Sequence, residues 1–223
     1  MKLLALSLLF ISLQIFAVEG PRLSDEAVIF HTDRGDMAVA FYPDQAPKHT
    51  AQILKLVRGG IYTHKLFFRI DKGYVAQVEN FNARNPPLSA EELKLIEKIP
   101  GEFNDIHHRR GILSMARFDD PNSAESSFSF VLGEAPNLDK QYTVFGEVIQ
   151  NIELLDEIER LPPKTVYINS AEVVARQNLP TIKLATGPSL LSNFMQNSAL
   201  QIFVFTILLL IGLWVFEKSY AKK

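Results

Sequence analysis

The sequence predicts a mainly β domain, a closed eight-stranded antiparallel β-barrel capped by two α-helices, and three observations carry that expectation. About eight short β-type runs follow one another at close spacing, separated by turn residues. Two strongly amphipathic segments of helical period interrupt them, enough to cover the two ends of a barrel. The 223 residues include no cysteine, so neither disulfides nor thiolate sites staple the chain, and the domain must hold together by burial alone. With 23 Lys+Arg against 25 Asp+Glu, the charge balance gives no reason to expect a nucleic-acid partner.

The elements follow in order. In "AVIFHTDRGDMAVAFY" Val28 and Phe30, then Met37, Val39 and Phe41, alternate as two strands of a hairpin joined at Gly35. "APKHTAQILKLVRGG" reads as a helix with Pro47 in its first turn. Ala51, Ile53, Leu54, Leu56 and Val57 share one side of it, and Gly59 or Gly60 supplies a left-handed cap. "KLFFRI", "YVAQV", "GILSMAR", "FSFVL" and "YTVFGEV" are β-type runs. Between Asn82 and Glu102, "LSAEELKLIEKIPG" breaks the rhythm. Ser89 with Glu92 forms a capping box for a short inserted helix, Pro100 stops it, and Leu93 and Ile96 are expected to pack back on the barrel. "NIELLDEIERL" is a second capping helix with Asn151 as N-cap, Leu154, Leu155, Ile158 and Leu161 on one face, and Pro162 and Pro163 as the stop. "TVYI" and "AEVVA" close the domain.

Both chain ends carry addresses. "MKLLALSLLFISLQIFA" has Lys2 before an apolar run and Ala17 at a cleavage point, which reads as a signal peptide over 1–17. "ALQIFVFTILLLIGLWVF" is uncharged and, at about 1.5 Å per residue, long enough to span a bilayer over 199–216. Lys218, Lys222 and Lys223 follow it, and positive tails stay cytosolic. The expected plan is a signal peptide, a lumenal domain over 26–177, a linker over 178–198, one transmembrane helix, and a cytosolic tail over 217–223. The expected location is a secretory-pathway membrane, foremost the endoplasmic reticulum.

The chemistry centres on "LFFRIDKGYVAQVEN", residues 66–80. Arg69 and Gln77 sit among Leu66, Phe67, Phe68, Ile70, Tyr74, Val75 and Val78, where an unsatisfied buried polar group costs roughly 1–3 kcal/mol. Either both face a cleft or both are surface residues.

Together with "GILSMAR", "PGEF" and "LDKQYTVFGEV", in that order, this segment closely resembles the cyclophilin family of peptidyl-prolyl cis-trans isomerases. The likeness covers residues 28–174. It implies the same helix-capped barrel, an isomerase of X-Pro bonds in protein folding, and no cofactor or metal. Arg69 takes the place of the catalytic arginine, and Gln77 that of the glutamine contacting the substrate backbone. Phe67, Tyr74, Val75, Ala116, Arg117, Ser127, Ser129, Leu138 and Tyr142 map onto the substrate wall. Several depart from the family pattern. Tyr74 and Val75 replace Phe and Met, Arg117 replaces an asparagine, and Tyr142 replaces a histidine. Asn137 replaces a tryptophan, which predicts poor cyclosporin binding. In "SAESSFSFVLG" an ungapped alignment puts Ser127 at the family's glutamine and Ser129 at its pocket phenylalanine, whereas a slip of one residue would put Phe130 there and reverse the faces. With Ser129 in place the socket lacks a phenyl ring. The expected partners are therefore proline-containing polypeptides, bound either for catalysis or, given the reduced socket, by a catalytically weak binding module or scaffold. "HHRR", residues 107–110, reads as a solvated loop rather than a metal site, and "DDPNSAE" lacks the offsets of a calcium loop.

Overall fold

The computed structural model describes residues 20–78 and 87–182. The signal peptide at 1–17, the transmembrane run at 199–216 and the tail at 217–223 lie outside them, as does most of the linker. Among the described residues no helix is long and apolar enough to cross a membrane.

Eight strands are described: β1 (Glu26–Thr32), β2 (Gly35–Phe41), β3 (Lys65–Asp71), β4 (Val75–Val78), β5 (Ile112–Met115), β6 (Phe128–Val131), β7 (Val144–Gln150) and β8 (Tyr167–Ala175). They form a closed antiparallel barrel in the order β1-β2-β7-β5-β6-β4-β3-β8. Closure leaves no sheet edge unpaired. "TVYI" and "AEVVA" fuse into the single strand β8, which absorbs the mismatch as a register shift against His31 and Thr32 of β1.

Period-two alternation fills the interior. Phe30, Phe67, Phe128, Phe130 and Phe145 are fully buried, with ring centroids 5.4 Å apart for Phe128 and Phe130 and 5.8 Å apart for Phe67 and Phe130. Such offset and edge-on pairs add to area burial. Tyr62 joins them and donates its hydroxyl to the Ser126 carbonyl at 2.8 Å.

Helix α1 (Pro47–Arg58) follows the end of β2 and buries Ile53, Leu54, Leu56 and Val57, while Ala51 turns to solvent. Its N-cap residue, Ala46, has no side chain to cap with. Glu102 of "PGEF" does the work from another loop, accepting from the backbone N–H groups of Lys48 and His49 at 3.0 Å each and from the His49 ring at 2.7 Å. At the other end, Gly60 at φ +70° supplies the left-handed residue. Its N–H reaches the Val57 carbonyl and that of Ile61 the Leu56 carbonyl, a Schellman closure.

Helix α2 (Ala90–Leu93) has the capping box formed by Ser89 and Glu92. It is only one turn long, and Leu93 is 53% exposed; Leu95 and Ile96 are the residues that pack on the core. Helix α3 (Leu154–Arg160) begins two residues later than Asn151 as N-cap implied, with Glu153 in the cap position. Asn151 takes φ +59° and donates its amide to the Asp36 carbonyl, tying β7 to β2 instead of capping. Leu154, Leu155 and Ile158 are buried, and Leu161 partly so. Because β2 and β7 are antiparallel, the helices that follow their ends close opposite mouths of the barrel.

Candidate active site

The β3–β4 hairpin builds one wall. Phe67 pairs with Val78, but Arg69 pairs with Gln77, so a bulge at Phe68 places one extra residue in β3. In a regular strand Phe67 and Arg69 would share a face. The bulge separates them, sending Phe67 to 0% exposure in the core and Arg69 outward. Phe67 is therefore core, not substrate wall, and Phe68 lines the adjacent cavity instead. The turn is pinned by Gly73 at φ +68°, whose carbonyl lies where a Cβ on Gly133 would be, 2.4 Å away.

Arg69, Tyr74, Val75, Gln77, Ala116, Arg117, Ser129, Leu138 and Tyr142 line one cleft of about 120 Å³, joined by Ser114 and Met115. Nine of the eleven expected residues thus converge. The Arg69 guanidinium is half-exposed and held by Asp71, through Nε at 2.9 Å and one terminal nitrogen at 2.5 Å. It also lies 6.0 Å from the Tyr74 ring centroid. Tyr74 in turn accepts the Asn137 amide at 2.8 Å, so the residue standing at the family's tryptophan position latches the cleft mouth with a hydrogen bond.

On the floor, β6 alternates. Phe128 and Phe130 enter the core, and Ser129 between them faces the cleft, as the ungapped alignment requires. Ser129 is paired with both Gln77 of β4 and Ser114 of β5. Behind Ser114 stands a feature that the reading of "HHRR" missed. His107 is solvated, but His108 is buried. Asp139 accepts from the His108 backbone at 2.8 Å and from its Nδ1 at 2.9 Å, while Nε2 lies 2.9 Å from Ser114 Oγ. A hydrogen bond to His107 holds the Asp139 carboxyl well below its usual range, with the His108 backbone and ring adding to it; burial lowers the His108 pKa against the pull of Asp139. Since a carboxylate only accepts, Nδ1 carries the proton and Nε2 accepts from Ser114. No spacing rule would have flagged this chain of Asp139, His108 and Ser114, because it spans two loops and a strand.

Ser127 belongs to a neighbouring cavity of about 230 Å³, with Phe68, Phe118, Ser123, Glu125 and Ser126; Gln77, Ala116 and Arg117 border both spaces. Gln77 donates to Ser127 Oγ at 3.1 Å, and Ser127 donates to the Val78 carbonyl at 2.6 Å, which fixes the glutamine's orientation. Arg117 turns its guanidinium onto the carbonyls of Phe118, Asp119 and Gln141 and stacks 4.6 Å over Tyr142. It braces the rim.

Comparison with known proteins agrees with this geometry. The family model "Cyclophilin type peptidyl-prolyl cis-trans isomerase/CLD" matches residues 27–177. "Peptidyl-prolyl cis-trans isomerase CYP23" of Arabidopsis thaliana is 48% identical over 159 residues, covering 70% of this chain and 70% of that protein. A "Probable peptidyl-prolyl cis-trans isomerase" of Brucella abortus is 35% identical, covering 68% of this chain and 81% of that protein. Among solved structures, a cyclophilin from Hirschia baltica aligns with TM-score 0.59 and 24% identity over 71% of this chain and 77% of its own, a likeness of fold. A cyclophilin type isomerase of Cryptosporidium parvum, solved in the presence of the dipeptide Ala-Pro, aligns with TM-score 0.59 and 25% identity over 67% of this chain and 99% of its own.

Proposed function

Since the chain belongs to the cyclophilin-type peptidyl-prolyl cis-trans isomerase family and is itself such an isomerase, we propose that Arg69 and Gln77 carry its turnover of X-Pro bonds without cofactor. The observation that supports this is their convergence on one cleft with Tyr74, Val75, Ala116 and Leu138. An X-Pro bond rotates over a barrier of roughly 18–20 kcal/mol because the nitrogen lone pair is conjugated into the carbonyl. At the twisted transition state that conjugation is lost, and the nitrogen becomes a hydrogen-bond acceptor. A guanidinium held beside an apolar wall donates to it there and less well to the planar ground state, which is differential binding of the transition state. Asp71 fixes the guanidinium's direction through two of its nitrogens. Gln77, oriented by Ser127, aligns the peptide backbone.

NMR exchange spectroscopy on a short X-Pro peptide with the full chain tests the proposal. Acceleration that falls by about 10²–10³ in Arg69→Ala supports it, in line with the loss of a transition-state donor. Binding without acceleration favours the second reading, a proline-peptide module, for which the ring-less Ser129 socket speaks. We place the barrel in the lumen of the secretory pathway, on the strength of the uncharged run at 199–216 and the lysines after it. Protease protection of the barrel, but not of a C-terminal tag, in sealed microsomes supports this; the reverse pattern refutes it.

A further inference from the structure

The socket floor is polar where a proline ring would have to sit. Ser114 and Ser129 are direct partners across β5 and β6, and both line the cleft. Side chains so paired stand about 4.5–5.5 Å apart at Cβ, close enough for one small group to touch both. Their hydrogen-bonding capacities differ. The Ser114 hydroxyl proton is committed to His108 Nε2 at 2.9 Å, so Ser114 offers the cleft only oxygen lone pairs. Ser129 Oγ has no hydrogen-bond partner among the described residues, and it is not among the buried orphaned atoms either, so it opens to the cleft with a free donor and free lone pairs. A bare pyrrolidine ring seated here covers both hydroxyls and satisfies neither, at the cost of their water contacts.

A ring bearing its own hydroxyl answers both. We propose that the preferred substrates are peptides carrying 4-hydroxyproline, whose ring hydroxyl donates to Ser114 Oγ and accepts from the Ser129 hydroxyl. This rests on the isomerase reading and names the substrate class of the same cleft. His108 and Asp139 act as positioning residues: by taking the Ser114 proton they leave that oxygen able only to accept, which a ring hydroxyl can use and a hydrocarbon ring cannot.

The test compares four peptides differing only in the ring: proline, the two 4-hydroxyproline epimers, and 4R-fluoroproline. Each catalysed exchange rate with the full chain is divided by the peptide's uncatalysed rate. One hydroxyproline epimer should exceed proline in kcat/KM by on the order of three- to tenfold, the worth of a neutral hydrogen bond. Fluoroproline, which biases the ring pucker but cannot donate, should not exceed proline. Ser129→Ala should bring the hydroxyproline and proline values together, and Ser129→Phe should invert the preference. Ser114→Ala should also erase it, but leaves His108 Nε2 unpaired in the interior, so the Ser129 variants decide the matter if that protein fails to fold. Equal turnover of proline and both epimers, or equal gains for fluoroproline and hydroxyproline, overturns this proposal while the isomerase reading stands. Turnover of none of the four overturns both.

Discussion

Removing the carboxylate of Glu102 should weaken the fold far more than an exposed-loop residue ordinarily does. Two backbone donors of the first turn of α1, Lys48 and His49, have Glu102 as their acceptor at 3.0 Å, and Ala46 provides no substitute. The His49 ring is fully buried against Phe145, its Nδ1 bonded to Glu102 at 2.7 Å and its Nε2 without a partner among the described residues. In Glu102→Ala the helix loses its cap, worth about 0.5–2 kcal/mol. The buried imidazole is left with neither nitrogen bonded, which costs about 1–3 kcal/mol. The two together come to about 1.5–5 kcal/mol. At a urea slope of about 2 kcal/mol per M, the midpoint of equilibrium unfolding should fall by roughly 0.8–2.5 M. Glu102→Gln keeps one carbonyl acceptor and should lose about half as much. A Glu102→Ala midpoint within about 0.3 M of the parent, at an unchanged slope, would refute the idea that this side chain holds the helix and the histidine together.

Acid should weaken the fold in two stages. His49 and His108 are both held neutral by burial, below the ordinary 6.5. The unfolded chain then binds more protons, so stability falls as pH drops below about 6.5. The depressed Asp139 carboxyl contributes stability that is present above its ordinary 3.8 and lost as pH falls through that value and below. A urea midpoint that stays flat between about pH 8 and pH 5 contradicts the histidine part, and His49→Gln should reduce the slope. Gly133→Ala would push a methyl into the Gly73 carbonyl, 2.4 Å from the ideal Cβ position; since only backbone can give way there, the unfolding midpoint and peptide affinity should fall together, and a variant with parental values would show the hairpin turn to be adaptable. Cyclosporin should bind poorly, because Asn137 offers an amide already bonded to Tyr74; nanomolar affinity by calorimetry would contradict this reading of the cleft mouth.

Where local periodicity was undisturbed, the sequence was legible down to single side chains. The alternation of Phe128, Ser129 and Phe130 puts the serine opposite the two rings, which leaves Ser129 or Phe130 for the cleft, and the register of β6 with β4 and β5 decides for Ser129. The capping box at Ser89 and Glu92 is a contact between near neighbours and needs no tertiary information. The failures share a cause. Phe67 was misplaced because the bulge at Phe68 is set by pairing with β4, which the chain reveals only when folded. Asn151 was read as a cap because its offset before an apolar run suits one, yet the Asp36 carbonyl of another strand claims its amide. His108 reads as solvated because no carboxylate stands at a useful spacing near it in the chain, while Asp139, 31 residues later, supplies the partner that makes burial tolerable. Leu93 faces solvent because α2 ends after one turn.

The extra residue in β3 makes the reaction geometry a matter of chain length as well as composition. Deleting Phe68 would leave Phe67 and Arg69 as immediate neighbours opposite Val78 and Gln77, an even pleat in which the ring still points inward and the guanidinium outward, so that only the Phe68 side of the neighbouring cavity would be lost. At that point loss of one amino acid should be borne better than loss or gain of one elsewhere in β3, which would reverse either the ring or the guanidinium, and a family member with a gap there should have kept the guanidinium's aim.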